Sequence, residues 1–292
     1  MRLTPPELTL IQLSDPHICA EGELLHGSVD TFATLDTALG TITSSRARVH
    51  GLLLTGDLAN EGKPEAYRRL ASALAPAAAE LGAEVVYAMG NHDERAAFRR
   101  ELLPHSPDLM ATVDSVHWIE GVRVVVLDSS TPARPDGRLE PTQLEWLGDE
   151  LASPAPRGTL LVVHHPPLPS PVPSAHLLRL QNADDLAAAL TGTDVRMIVT
   201  GHAHHTGCGS LAGIPVWVGP ALAYRSDPLP PPGRMRGRRG AGISRVDLID
   251  GTFVATAVEI GDAPVVYDED KEERVRYALD KFFAPGTPGK DG

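Results

Sequence analysis

Short apolar runs, each followed at once by an acid, amide or imidazole side chain, limit the folds open to this chain more than any other feature. Leu8 to Leu13, Val49 to Leu54, Glu84 to Met89, Val122 to Leu127, Thr159 to Val163 and Val195 to Thr200 each read as a strand. They are too short for buried helices and rich in β-branched and aliphatic residues. Ile214 to Val218, Ile243 to Leu248 and Thr252 to Val258 are weaker strand candidates. Amphipathic stretches lie between them, at Val29 to Ser45, Pro64 to Leu81, Asp93 to Leu102, Pro141 to Leu151 and Asn182 to Leu190. Pro64 and Pro141 suit a first helical turn, where a missing N–H leaves no bond unmade. The alternation predicts an α/β domain, and the late strands without helices between them predict an antiparallel second portion.

Composition removes several functions. No apolar run of the 292-residue chain approaches the roughly 18 residues that span a bilayer. The start has no apolar h-region, which argues against a Sec signal and for the cytoplasm. Acidic residues outnumber basic ones by 38 to 26, a poor surface for a nucleic-acid polymer. Two cysteines, Cys19 and Cys208, make no disulfide framework and are expected to be buried thiols. No P-loop and no Gly-x-Ser-x-Gly occurs, so nucleoside triphosphatase and serine hydrolase chemistry lack their residues.

The strand ends carry the chemistry. The first run ends in Ser14-Asp15-Pro16-His17, the second in Thr55-Gly56-Asp57 and the third in Gly90-Asn91-His92-Asp93. The Thr159 run ends in His164-His165-Pro166-Pro167 and the Val195 run in Gly201-His202-Ala203-His204. The carboxyl ends of strands are where open α/β sheets place their sites. Asp15 and His17 are two apart, as are His202 and His204, so each pair faces one way in an extended segment. Two carboxylates, one amide oxygen and four imidazoles are too many for one ion and suit two if a carboxylate bridges. Asp57, after a glycine that permits a tight turn, is the natural bridge. Nitrogen and oxygen donors without thiolate favour Fe, Mn, Zn or Co over Ca or Mg. Two such ions, two aspartates and a hydroxide leave a small positive charge, which suits a phosphodiester monoanion.

These motifs resemble those of the calcineurin-like metallophosphoesterases. The connecting segments Leu54-Thr55-Gly56-Asp57-Leu58-Ala59, Met89-Gly90-Asn91-His92-Asp93, His164-His165-Pro166-Pro167 and Gly192-Thr193-Asp194-Val195-Arg196 resemble the bacterial class III cyclic-nucleotide phosphodiesterases. The likeness covers about residues 8 to 260. It implies a four-layer α-β-β-α sandwich with the site at the sheet edges. It assigns Asp15, His17, Asp57 and His204 to one ion and Asp57, Asn91, His164 and His202 to the other. His165 is then left behind the ligands or in a structural role. His17, Asp57, Asn91, His92 and His204 would face the substrate phosphate, with His92 a phosphate donor or leaving-group acid. The activity implied is hydrolysis of 3′,5′-cyclic nucleotides to nucleoside monophosphates by in-line attack of a hydroxide held between two divalent or mixed-valence transition metal ions.

Other readings stay open. A broader phosphodiesterase or phosphomonoesterase would take 2′,3′-cyclic nucleotides, glycerophosphodiesters or nucleotide sugars. A catalytically silent scaffold is the alternative of another class. A homodimer is the oligomer to test, since twofold dimers are the commonest assemblies. Asp93 is expected to cap the following helix rather than to orient His92. His26 either touches substrate or lies on the surface. Trp118, Trp146 and Trp217 are expected in the core. Pro166 to Ala175, with five prolines, reads as an extended loop. Asp227 to Gly242, with four prolines and Arg234, Arg236, Arg238 and Arg239, is either a mobile solvated basic loop or a flap over an anionic substrate. The catalytic domain is expected to span residues 1–264, and the charged tail 265–292 to be partly helical and then frayed.

Overall fold

The computed structural model describes residues 5–103, 108–261 and 264–282. The chain opens with β1 (Leu8–Leu13), α1 (Thr31–Ser44), β2 (Gly51–Thr55), α2 (Pro64–Leu81), β3 (Glu84–Ala88) and α3 (Arg95–Leu102). It continues through β4 (Ser115–Ile119), β5 (Val122–Leu127), α4 (Pro141–Glu150), β6 (Thr159–Val163), α5 (Pro173–Leu177), α6 (Ala183–Leu190) and β7 (Val195–Thr200). Then come β8 (Gly207–Leu211), β9 (Ile214–Val218), β10 (Arg225–Ser226), β11 (Gly237–Arg238), β12 (Ala241–Ile249), β13 (Thr252–Ile260) and α7 (Lys271–Phe282). Residues 6–260 form one unit, and α7 belongs to a second. In α7, Glu272 and Glu273 occupy the first turn and Lys281 the last, as the helix dipole favours. The end of the tail, expected to fray, lies outside the described residues.

Two sheets make the middle of the large unit. One runs β13-β12-β1-β2-β3, the other β4-β5-β6-β7-β9-β8. Strands β1, β2 and β3 are parallel, as are β5, β6, β7 and β9. Their side chains explain the unbroken apolar runs. On β5, Val124 and Val126 enter the core between the sheets, while Val125 and Leu127 pack on α4 and α6 with Leu147, Leu186 and Leu190. On β2, Leu53 faces the other sheet, and Leu52 and Leu54 meet Leu35 of α1, Tyr67 and Leu70 of α2 and Phe98 of α3. Both faces of each central strand are therefore dry, so both must be apolar. A fully buried Leu or Val contributes about 1.5–3 kcal/mol, and three such layers make the α-β-β-α sandwich. Buried Gln12 of β1 crosses the middle, donating to Thr55 Oγ1 at 2.9 Å and to the Thr200 carbonyl at 2.8 Å.

Several expectations are corrected. The late strands do pair antiparallel, β8 with β9 and β12 with β13, but they make no separate portion among the described residues: the β12–β13 hairpin completes the first sheet beside β1, and β9 also lies parallel to β7. Pro173 starts the short helix α5 inside the stretch read as an extended loop, because a proline is tolerated at a first helical position. Edge strands β4 and β8 leave no apolar run, having one side open to water. Trp118 sits on that edge, 54% exposed, and Cys208 is exposed on β8 rather than buried. Cys19 is buried. Trp146 and Trp217 are half-buried against the apolar layers, and the Trp217 indole donates to Ser244 Oγ at 2.8 Å.

Candidate metal centre

Because β1, β2 and β3 run parallel, their carboxyl ends emerge together, and those of β6 and β7 do the same on the other sheet. The loops that follow bring Asp15, His17, Asp57, His92, His164, His202 and His204 into one cluster. The Asp15 carboxylate accepts the His202 N–H at 3.0 Å on each oxygen and Ser14 Oγ at 2.5 Å. Its Oδ1 lies 3.4 Å from His204 Nε2. His17 Nε2 is 3.1 Å from His204 Nε2 and 3.6 Å from Asp57 Oδ2. The same Oδ2 is 3.4 Å from His164 Nε2. One Asp57 oxygen thus stands between two groups of imidazoles, and its other oxygen accepts the His92 N–H at 2.8 Å.

The imidazoles are aimed by backbone carbonyls. His164 Nδ1 meets the Thr55 carbonyl at 2.8 Å and His204 Nδ1 the Tyr224 carbonyl at 3.1 Å. A carbonyl only accepts, so each Nδ1 carries a proton and each Nε2 faces the cluster. His92 Nδ1 is held likewise by the Asn60 carbonyl at 2.8 Å, and its ring is exposed. Buried His17 Nδ1, His164 Nε2 and Asn91 Oδ1 have no hydrogen-bond partner. Leaving such atoms unpaired costs about 1–3 kcal/mol each, unless something not of the protein meets them.

The backbone is also forced. Asp15, His17, Asp57, His202 and His204 all have positive φ, between 44° and 65°. Non-glycine residues held there cost on the order of 1–3 kcal/mol each, and such strain gathers at functional sites. Two glycines make the close approach possible. A Cβ at Gly90 would fall on the Asp57 carboxylate, and one at Gly56 would fall on the His164 ring. Buried nitrogen and oxygen donors within 4.8 Å of one another form overlapping sets, Asp15–His17–His204 and Asp15–Asp57–His164 among them. The donors suit transition metal ions, and the orphaned atoms point to more than a protein-only network.

The profile of the calcineurin-like phosphoesterases matches residues 8–206. The chain belongs to that family. The family uses a dinuclear metal centre. The phosphoesterase is 41% identical over 262 residues to a cAMP/cGMP dual specificity phosphodiesterase of Mycobacterium tuberculosis, covering 89% of this chain and 82% of the relative. It is 30% identical over 196 residues to the 3′,5′-cyclic adenosine monophosphate phosphodiesterase of Escherichia coli, covering 67% and 69%. A dimetal phosphatase of Danio rerio shares the fold, with a TM-score of 0.59 at 17% identity over 88% of this chain and 97% of that one.

Electrostatics in the phosphoesterase follow from burial and from the pairs just named. Burial opposes ionisation of Asp15 and Asp57, yet His204 beside the first and His164 beside the second hold both well below the usual carboxylate range. Burial pushes His17 down to about 3 and His202 down to about 4. Burial also works against protonated His164, but the Asp57 charge outweighs it and raises that imidazole to about 9.

One residue departs from expectation. Asp93 does not cap α3; Glu94 does, accepting from the Ala96 and Ala97 N–H groups. Asp93 instead takes the N–H groups of Leu58, Ala59 and Gly90 and the Tyr67 hydroxyl, and so ties the Asp57 loop to the Asn91 loop. His165 is fully buried, with Ser129 Oγ 2.8 Å from its Nδ1, and forms a third close set with His164 and His202. Tyr224 went unnoticed in the sequence, although its ring stacks 4.2 Å from that of His204. Its carbonyl and those of Thr55 and Asn60 left no sequence signal, because every residue carries one.

Proposed function

We propose that this chain is a dinuclear-metal phosphodiesterase that hydrolyses 3′,5′-cyclic nucleotides to nucleoside monophosphates. The observation that carries the reading is Asp57 Oδ2, poised between His17 Nε2 at 3.6 Å and His164 Nε2 at 3.4 Å. The activities of the relatives, cAMP/cGMP and cAMP phosphodiesterases, suggest the substrate class. Asp15, His17, Asp57 and His204 would hold one ion, and Asp57, Asn91, His164 and His202 the other. Iron, manganese, zinc and cobalt match these donors. When bound, two such ions would supply positive charge against the phosphate and lower the pKa of a water.

The chain's own residues do the rest. The carbonyls of Thr55 and Tyr224 fix His164 and His204, so little reorganisation accompanies the reaction. His17, Asp57, Asn91, His92 and His204 surround the place of the phosphate. His92 is held through Nδ1, and its ring stands edge-on to His17 with centroids 4.7 Å apart. As water adds to phosphorus it gives up one proton to solvent and the ester P–O bond breaks; the departing sugar oxygen takes one proton, for which His92 would be the donor. We place this chemistry in a catalytic domain of residues 1–264, in the cytoplasm, with the tail 265–292 outside it. A homodimer is the assembly to test by light scattering. No helix among the described residues is long and apolar enough to cross a membrane.

The test is metal analysis of the purified protein beside a panel of 3′,5′- and 2′,3′-cyclic nucleotides, glycerophosphodiesters and aryl monoesters. Two equivalents of transition metal and preference for a 3′,5′-cyclic nucleotide are expected. Monoester preference without cyclic-nucleotide turnover would remove the assignment.

A further inference from the structure

A cavity of about 670 Å³ adjoins the cluster on the side of His204. That volume lies in the range of about 300–1,000 Å³ usual for small-molecule sites. Four rings lead into it in series. The centroids of His17 and His204 are 5.0 Å apart, those of His204 and Tyr224 4.2 Å, and those of Tyr224 and His26 5.3 Å. Tyr224 and His26 line the cavity, so it begins one ring beyond a candidate metal ligand. Flat apolar faces make its walls: Val172 from α5 and its approach, and Pro231 and Met235 from the segment 227–239.

Its charge is one-sided. Asp227 is the one carboxylate among the described residues lining the cavity. It is already committed to Arg236, through Nε at 2.8 Å and Nη2 at 2.5 Å, and to Arg238, through Nε at 2.9 Å. Arg239 donates to the Ser28 carbonyl at 2.8 Å. Arg234 also lines the cavity, and among the described residues no hydrogen bond or ion pair occupies its guanidinium. A cationic headgroup, such as the choline of a glycerophosphodiester, would meet several arginines and one carboxylate already paired to two of them. A flat heterocycle rich in acceptor atoms would find aromatic and proline faces to stack on and a guanidinium to bond.

We propose that this cavity is the nucleoside subsite of the phosphodiesterase, with Tyr224 as the stacking platform, His26 standing edge-on beside it, and Arg234 as the donor to base or ribose. The proposal rests on the cyclic-nucleotide reading above and names what selects that substrate. The bound molecule places its phosphate at the cluster and its base over Tyr224. The arginine–proline segment then acts as the wall that distinguishes a nucleotide from a small diester.

The test compares kcat/KM for 3′,5′-cyclic AMP with that for bis(p-nitrophenyl) phosphate, a diester without a nucleoside. Wild type, Tyr224→Ala and Arg234→Glu are measured in the metal-loaded protein. The ratio is expected to fall by about tenfold in Tyr224→Ala, the size of a lost base stack, with the loss carried by KM. Arg234→Glu, at an exposed position that cannot threaten folding, is expected to lower the ratio several-fold. A ratio unchanged in both variants, with wild type cleaving both compounds, overturns the subsite. Wild type that cleaves the aryl diester and no cyclic nucleotide overturns the functional reading itself.

Discussion

The candidate metal centre and the arginine–proline segment beside it are adjacent in space and opposite in construction. The centre gathers side chains from the carboxyl ends of five strands in two sheets; Asp15, His17, Asp57, His164 and His204 are buried, and Asp15, His17, Asp57, His202 and His204 sit on backbone held at positive φ. The segment has two residues of regular structure, β11, paired with β10. Leu229 and Met235 within it are 87% and 69% exposed, and the ion pairs of Asp227 hold it together. Charge that must be placed to a fraction of an ångström is mounted on strand ends that a packed core cannot release. The wall that chooses among substrates is mounted on a loop, which tolerates change without unfolding the sandwich.

The contrast is broken most severely at Asp57. Asp57→Asn keeps the size of the side chain and removes the charge that both sets of imidazoles face. The variant is expected to lose metal and at least about 10³-fold in kcat. Metal analysis with turnover assays decides it, and full activity would end the bridging assignment. His92 sharpens the contrast from the inside. It sits at the rim, exposed and aimed by the Asn60 carbonyl. His92→Ala should retain both ions and lose about 10²-fold in kcat with little change in KM. Loss of metal with normal turnover per remaining ion would make it a ligand.

The two regions also differed in how far the sequence disclosed them. Strands β1, β5, β6, β7 and β9 begin and end where their apolar runs do, because both faces of a central strand are dry. The same physics hid β4 and β8, whose open edges need no apolar pattern. Side chains at strand ends announced themselves by type and spacing, and the structure brings them together. Their aiming devices were illegible, being the carbonyls of Thr55, Asn60 and Tyr224. Asp93 looked like a helix cap because its position allowed it. Only the fold shows the Leu58, Ala59 and Gly90 N–H groups converging on it. The segment 227–239 gave its charge and prolines but not its neighbours, and so its cavity was invisible.

Protons offer a gentler probe of the centre. His164, raised to about 9 by Asp57, is charged at neutral pH without metal, while His17 at about 3 and His202 at about 4 are neutral. An ion that binds His164 Nε2 must displace its proton. Metal affinity is therefore expected to fall about tenfold for each pH unit below about 9, down to near pH 5. The sign is opposite for the metal-free fold. A histidine raised from 6.5 adds stability that is whole below about 6.5 and is lost as pH climbs through about 9. Calorimetry in buffers of different ionisation enthalpy measures the released proton; zero release at pH 7 would contradict the placement of His164.

The smallest effect belongs to the loop. Leu229 is 87% exposed, so its truncation removes almost no apolar area from the interior. Leu229→Ala is expected to change folding stability by no more than about 0.5 kcal/mol, read from urea unfolding. A truncated core leucine costs about 2–5 kcal/mol. If Leu229→Ala approached that figure, the segment would be packed as firmly as the sheets. Substrate selection would then rest on a rigid surface, and the division between a fixed metal centre and a replaceable wall would fail.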